Sequence, residues 1–154
     1  MNFRLQYLVQ SLLVILTTGT GCIGAAGALI NVTTNDTYTK IEGANAGDSV
    51  IIAPRTYAFR VYLTKQASPA SPIMIQALDP SNPPVWDFGT TLVENAPGSY
   101  TAGDRGRGGW QFSGAQTYTI SGIIFRHCRT ASYNSAGIRY YNGTTNLYIK
   151  TTPS

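Results

Sequence analysis

Apolar and polar residues alternate in several short runs after residue 30, with the two-residue period of a β-strand that buries one face. Gly, Pro, Asn and Ser separate these runs, and no segment keeps the helical period of about 3.6 residues over three turns. The runs predict strands at residues 49–52, 60–63, 73–77, 85–88, 110–112, 118–125, 138–141 and 147–150. The chain is therefore expected to be all-β.

The predicted strand at 118–125 contains a glycine that interrupts its alternation. Ile120 faces one side, Gly122 permits a bend, and Ile123 and Phe125 return to the side of Ile120. A chain that bends while it keeps its apolar side inward winds around an axis. Trp86 and Trp110 lie in similar apolar runs, which favours core packing over a role as exposed sugar platforms.

The spacing of the strands indicates stacked coils. Val50 and Ile73 are 23 residues apart, Ile120 and Leu147 are 27 apart, and a further short strand lies within each interval. Such periods are typical of a β-solenoid, in which successive coils bury a shared apolar column. About four to five coils would use the mature chain, although Asn142-Gly143 also has the composition of a hairpin turn.

The N-terminus resembles an export signal. An apolar run follows Arg4 and is too short for a secure membrane span, and the small residues of 25–28 predict cleavage after Ala28. We therefore expect a signal peptide at 1–28, a lead-in at 29–45 and coils at 46–154, in a secreted or periplasmic protein. Lipidation of Cys22 is the less favoured alternative, because Gly19 stands where lipoprotein signals usually carry an aliphatic residue.

The remaining composition excludes several kinds of site. Cleavage would leave Cys128 as the only cysteine, and His127 is the only histidine, so neither an internal disulfide nor a Cys/His metal site is expected. His127 and Cys128 are interpreted as structural, because neighbouring strand residues face opposite sides. The formal net charge of +4 is mild, and no nucleic-acid partner or membrane span is predicted for the mature chain.

Several motifs resemble secreted right-handed parallel β-helix proteins, the group of pectate lyases, chondroitinase B and related alginate lyases. Ala46-Gly47-Asp48 resembles the lead into their first strand, where Asp48 is expected to serve as a turn residue. Pro72-Ile-Met-Ile-Gln-Ala77 resembles a strand about 20 residues further on, and the run ISGIIF resembles a later coil. The resemblance covers roughly residues 41–150, and Arg55 departs from it where a turn glycine is usual.

The resemblance implies the N-terminal part of a longer parallel β-helix, truncated in this chain. An uncapped end of the coil stack would expose the apolar column, so self-association is possible there. Lyases of this group cleave uronate-containing polysaccharides by β-elimination, commonly with Ca²⁺ held by acidic side chains. Ca²⁺ is implied by the resemblance alone, because no spacing in the chain clusters the acidic residues, and no metal ligand is assigned.

The candidate substrate-binding residues are the outward basic and aromatic side chains near the C-terminus: Arg126, Arg139, Tyr141 and Lys150. If Arg139 and Lys150 share one outer face with Tyr141 or Tyr148, they form a groove with cations for carboxylates and rings for sugars. A solvated outer face is the alternative interpretation, and no catalytic residue is assigned.

The leading hypothesis is a secreted β-helix protein that acts on acidic polysaccharide as a lyase. A non-catalytic domain for glycan binding or surface attachment is the alternative, and an inactive truncated product is a third possibility. Fold alone does not separate these functions.

Overall fold

A computed structural model describes residues 26–99, 108–129, 136–141 and 143–150 of the 154-residue chain. In this part of the chain, strands predominate and helix is limited to the single turn α1 (Thr39–Glu42) and a short 3-10 segment at Val93–Asn95. The strands are β1 (Leu29–Val32), β2 (Ser49–Ile52), β3 (Thr56–Tyr57), β4 (Val61–Leu63), β5 (Ile73–Ala77), β6 (Val85–Asp87), β7 (Gly108–Ser113), β8 (Gln116–Ser121), β9 (Ile124–Arg126), β10 (Ala136–Tyr141) and β11 (Thr145–Lys150).

The strands form three parallel sheets. Sheet 1 has the order β1-β2-β5-β8-β11, sheet 2 the order β3-β6-β9, and sheet 3 the order β10-β7-β4. The chain visits sheets 1, 2 and 3 in that order three times, through β2-β3-β4, β5-β6-β7 and β8-β9-β10. We call each of these sets a coil. The all-β prediction is confirmed, and the arrangement is compatible with a parallel β-helix.

Inward side chains of successive coils lie in register and form apolar columns. In sheet 1 the fully buried Val50, Ile75 and Ile120 occupy one column. In sheet 2 Trp86 lies between Tyr57, stacked at 4.6 Å between ring centroids, and Phe125 at 6.4 Å. Burying such side chains contributes about 1.5–3 kcal/mol each, so these columns dominate the stability of the fold.

The core positions predicted for the aromatic residues are confirmed. Trp86 and Trp110 are completely buried and meet edge to face, with ring centroids 4.9 Å apart. Ile120 is also buried, while Ile123 and Phe125 are half-buried against the same core.

Gly122 separates β8 from β9 with a φ of +68°, a left-handed conformation that glycine adopts without strain. The predicted strand at 118–125 is thus two strands in different sheets. Gly122 marks the corner between them, as its break in the alternation indicated.

The residues that pair between coils lie two positions further along the chain than the sequence analysis expected. Val50 pairs with Ile75 rather than with Ile73, and Ile120 pairs with Ile149 rather than with Leu147. Residues two apart in a strand face the same side, so both members of each pair fit the apolar pattern equally well. Backbone pairing alone distinguishes the two registers.

Asn142 of the Asn142-Gly143 motif lies outside the described residues, but the strands on either side of it are described. The flanking strands β10 and β11 pair in parallel with β7 and β8 respectively, and they belong to different sheets. β10 and β11 therefore do not pair with each other as the two strands of a hairpin would. Asn-Gly favours tight turns in general, and the sequence does not show which strands the turn will join.

The N-terminal end of the sheets is covered. Ile41 of α1 is completely buried, and the Glu42 carboxylate accepts a hydrogen bond from the backbone N–H of Tyr62 at 2.7 Å. The expected lead-in also contributes β1, which extends sheet 1 beside β2. Asp48 acts as the expected turn residue, since its carboxylate accepts from the N–H groups of Ala28 and Asn45.

At the opposite end, apolar side chains in line with the inner columns are exposed. Tyr140 pairs with the buried Phe112 yet is 69% exposed, and Ile149 pairs with the buried Ile120 yet is 45% exposed. Within the described ranges, no strand pairs with the outer edge of β10 or β11. The apolar columns therefore reach the surface at this end.

Candidate functional site

Opposite charges meet at the ends of two neighbouring strands of sheet 2. Asp87 is the last residue of β6, Arg126 is the last residue of β9, and the two lie directly opposite each other in the parallel register. Trp86 and Phe125, the residues before them, pack into the core. Because side chains alternate along a strand, Asp87 and Arg126 are placed on the outer surface.

The Asp87 carboxylate is also bound to the imidazole of His127. His127 Nδ1 lies 2.7 Å from Asp87 Oδ1, and the backbone N–H of Gly89 donates to the same oxygen at 2.8 Å. The hydrogen bond from His127 is the main cause that lowers the pKa of Asp87, followed by the Gly89 N–H, and the charge of Arg126 acts in the same direction. Asp87 is therefore an ionised carboxylate at neutral pH.

These contacts fix the orientation and tautomer of His127. An ionised carboxylate can only accept hydrogen bonds, so Nδ1 of the imidazole must carry the proton that it donates to Asp87. In the neutral ring, Nε2 then holds a lone pair. Because the side chain is 61% exposed, the end of the ring that carries Nε2 lies at an accessible surface.

His127 has a strained backbone, with a φ of +50° that is uncommon for a residue other than glycine. A left-handed conformation costs a non-glycine residue about 1–2 kcal/mol, and such strain persists only where surrounding contacts hold it. Arg129 supplies those contacts: its N–H donates to the His127 carbonyl at 2.8 Å, and its guanidinium donates to the Thr90 carbonyl at 3.0 Å. The segment after β9 is thereby attached to the connection after β6.

Cys128 is not placed to act as a nucleophile with His127. Its Sγ lies 3.4 Å from the carbonyl oxygen of Arg126, and burial raises the pKa of the thiol to about 11. The thiol is thus protonated at neutral pH, whereas nucleophilic cysteines act as thiolates. The interpretation of Cys128 as structural agrees with this environment.

The sequence-predicted substrate residues lie on three different sheets. Arg126 ends β9 in sheet 2, Arg139 pairs with Gln111 in sheet 3, and Lys150 pairs with Ser121 in sheet 1. Tyr141 ends β10 in sheet 3, opposite Ser113. The structure therefore does not bring Arg139 and Lys150 onto one outer face, and the condition for the expected groove between them is not met.

Tyr148 and Lys150 do share the outer side of one strand, β11 in sheet 1. Tyr148 is 63% exposed and borders a shallow groove. The other residues that line this groove are Pro69, Pro72, Thr117, Thr119 and Asn146. An exposed aromatic ring beside a cation is a second possible contact for a sugar chain.

The donor set of the candidate site does not fit Ca²⁺. Ca²⁺ takes six to eight oxygen ligands, whereas Asp87 is surrounded by the imidazole of His127 and the cation of Arg126. Over the described ranges, no group of three or more His, Cys, Asp or Glu side chains is placed to hold a metal ion. No helix within those ranges is long and apolar enough to cross a membrane.

The sequence did not reveal the pair formed by Asp87 and His127. The two residues are 40 positions apart, and neither belongs to a motif with a fixed spacing. Asp87 lies within the predicted strand at 85–88 and Arg126 follows the one at 118–125, but only the register of β6 and β9 shows that these strands are neighbours.

Comparisons with known proteins found no match, so the site itself is the main source of information on function. No model of a protein family matches the chain, and no curated protein matches it.

Proposed function

We propose that the chain forms a secreted, right-handed parallel β-helix that acts on acidic polysaccharide in a lyase-like manner. The three parallel sheets, visited in a constant order, support the β-helix. Export is supported by the apolar N-terminal segment, which lies outside the described residues. The observation that carries the functional proposal is the cation of Arg126 beside an accessible carboxylate–imidazole pair on sheet 2.

The chemistry of β-elimination at a uronate explains why this arrangement is suitable. The proton to be removed lies on the carbon next to the sugar carboxylate, and it becomes acidic when a positive charge neutralises that carboxylate. A guanidinium can do this through two parallel hydrogen bonds, which also fix the orientation of the sugar. Arg126 is the proposed carboxylate-binding residue, and the neighbouring imidazole adds a group able to transfer protons.

The alternative proposal is a non-catalytic glycan-binding domain. The observation that favours it is the exposed ring of Tyr148 beside Lys150 on sheet 1, on the surface away from the Asp87–Arg126 pair. A sugar chain bound there would stack on the ring and contact the cation.

A binding experiment with three single variants distinguishes these proposals. Affinity for pectate, alginate and chondroitin sulfate is measured by calorimetry for Arg126→Gln, Lys150→Gln and the exposed control Lys65→Gln. Loss of a charge-assisted hydrogen bond is worth about 1.5–3 kcal/mol, so Arg126→Gln should weaken binding by roughly 10- to 100-fold. Lys65→Gln should bind like the wild type.

The outcome also separates the two surfaces. Loss confined to Lys150→Gln would contradict the site on sheet 2 and support the binding surface on sheet 1. Equal affinity in all three variants and the wild type would reject both surfaces. Circular dichroism of each variant confirms that the comparison is made between folded proteins.

A further inference from the structure

The imidazole of His127 is held in an arrangement that serves proton abstraction. We propose that His127 is the base of the β-elimination, with Asp87 as its positioning residue; this inference rests on the proposed function. His127 Nδ1 is bound to Asp87 Oδ1 at 2.7 Å, and the ring is 61% exposed. A base whose orientation is set by a third group is the arrangement that general-base catalysis requires.

The local backbone supports a role beyond attachment of the loop. A non-glycine residue with φ of +50° is held at a cost, and strained residues of this kind concentrate at functional sites. In this conformation the imidazole of His127 reaches Asp87, on the neighbouring coil and opposite Arg126. The proposed carboxylate-binding residue, Arg126, and the proposed base, His127, are thus adjacent in the sequence and lie on one surface.

The step balances without a further reactant. The lone pair of His127 Nε2 takes the proton from the carbon next to the uronate carboxylate, and the C–H electron pair forms the C=C double bond of the product. The bond from the neighbouring ring carbon to the glycosidic oxygen breaks, and that oxygen takes a proton from water. The imidazolium then gives its proton to the hydroxide that remains, and Asp87 stabilises the transient positive charge.

The groups around His127 support the assignment of the base to its imidazole. The titratable and charged groups around His127 are Asp87 on β6, Arg126 on β9, and Cys128 and Arg129 in the following segment. Asp87 remains ionised as the pH is lowered because its pKa is depressed, and Cys128 is protonated throughout because its pKa is about 11. An ionised carboxylate of depressed pKa and a protonated thiol are both poor bases, which leaves the imidazole of His127 for this role.

Two variants test the base while they preserve the unusual backbone. Asparagine and glycine both tolerate a left-handed conformation, so His127→Asn and His127→Gly should fold. His127→Asn retains an N–H that can bind Asp87 but has no basic nitrogen, and we expect kcat to fall roughly 100- to 10,000-fold with KM changed little. In His127→Gly, free imidazole in the buffer should restore part of the activity.

The matched control is Asp79→Asn, which removes an exposed acid that binds Ser81 away from the site and should leave activity unchanged. Asp87→Asn should lower kcat because the neutral amide no longer stabilises the imidazolium, and its NH2 group can donate to Nδ1 and favour the other tautomer. Wild-type kcat in His127→Asn, or no rescue of His127→Gly by imidazole, would overturn the role of His127 while the lyase proposal stands. A folded wild type that forms no unsaturated product would overturn the lyase proposal and this inference together.

Discussion

The outer surfaces of sheets 2 and 1 differ in the side chains that their registers bring together. On sheet 2, Asp87 and Arg126 lie opposite each other on neighbouring coils, and His127 completes the cluster. On sheet 1, an outer row consists of Met74, Thr119 and Tyr148, which carry no charge. The next outer row is Gln76, Ser121 and Lys150, with one charge at the edge strand.

This difference shows where a stack of parallel strands can build a polar site. Asp87 and Arg126 are the last residues of their strands, whereas Met74, Thr119 and Tyr148 in sheet 1 lie within theirs. Strand ends offer backbone N–H groups and left-handed positions, such as those of Gly89 and His127, that can orient a side chain. Polar side chains within the strands are separated by regular pairing and face solvent individually.

The largest effect is expected from the aromatic core below the sheet 2 cluster. Trp86 is completely buried, stacks on Tyr57 and donates from its indole N–H to the Phe59 carbonyl at 2.8 Å. Trp86→Ala should lower the free energy of unfolding by about 3–5 kcal/mol, measured by urea denaturation followed by circular dichroism. Tyr148→Ala on sheet 1 should change it by less than about 0.5 kcal/mol. Similar losses in both variants would contradict the contrast between the two positions.

A second pair of variants compares the middle and the edge of sheet 1. Ile120 and Ile149 occupy the same column, but Ile120 is 1% exposed and Ile149 is 45% exposed. Ile120→Ala should lower the free energy of unfolding by about 2–5 kcal/mol, and Ile149→Ala by less than about 1 kcal/mol. A cost for Ile149→Ala equal to that for Ile120→Ala would mean that the column is covered at this end.

The corner between sheets 1 and 2 provides a smaller test. Gly122 and Gly89 both have a positive φ, but a Cβ on Gly122 would lie 3.0 Å from the Cβ of Ala77, whereas a Cβ on Gly89 would meet nothing within 4 Å. Gly122→Ala should lower the thermal unfolding midpoint by the equivalent of about 1–2 kcal/mol, and Gly89→Ala by less. The reverse order would show that the corner is not packed as described.

The exposed end of the columns should cause self-association. Leu78 and Ile149 are both exposed apolar residues, but Leu78 follows β5 in the middle of sheet 1, whereas Ile149 lies in the edge strand β11. We expect concentration-dependent association in sedimentation velocity that Ile149→Thr reduces and Leu78→Thr does not. Association that responds equally to both substitutions would point to a contact elsewhere on the surface.

The smallest effect on stability is expected from Asp87, and it depends on pH. The folded protein holds the pKa of Asp87 below the ordinary 3.8, so the carboxylate stabilises the fold above its unfolded pKa. This contribution is lost as the pH falls through the folded pKa. Asp87→Asn should therefore flatten the acid limb of a plot of unfolding midpoint against pH, while Asp36 and Asp79, whose pKa values are also lowered, still contribute. An unchanged acid limb would show that the pair formed with His127 contributes nothing.

The sequence predicted elements well where alternation was strong. The strand at residues 73–77 was predicted with the bounds of β5, and in it the buried Ile73, Ile75 and Ala77 alternate with the half-buried Met74 and Gln76. The strand β3 escaped prediction because two residues carry no measurable period, and β1 because its segment follows directly on the expected cleavage site.

The candidate site was only partly predictable. Arg126 was identified from its outward position after an apolar strand, but its neighbour Asp87 was not, because the connections between coils differ in length. The register steps from Val50 to Ile75 and from Ile120 to Ile149 are 25 and 29 residues, whereas Asp87 and Arg126 are 39 apart. Without a constant period, sequence distance cannot show which outward side chains will meet.

The most direct test of the account is product formation from polyuronate. The purified mature chain is incubated with pectate, alginate and chondroitin sulfate, each with and without Ca²⁺, and the ultraviolet absorbance of unsaturated uronate is followed. The account predicts a rise with at least one glycan that is lost in Arg126→Gln and retained in Lys65→Gln. No rise from a protein that circular dichroism shows to be folded, or an equal rise in both variants, would contradict a lyase site on sheet 2.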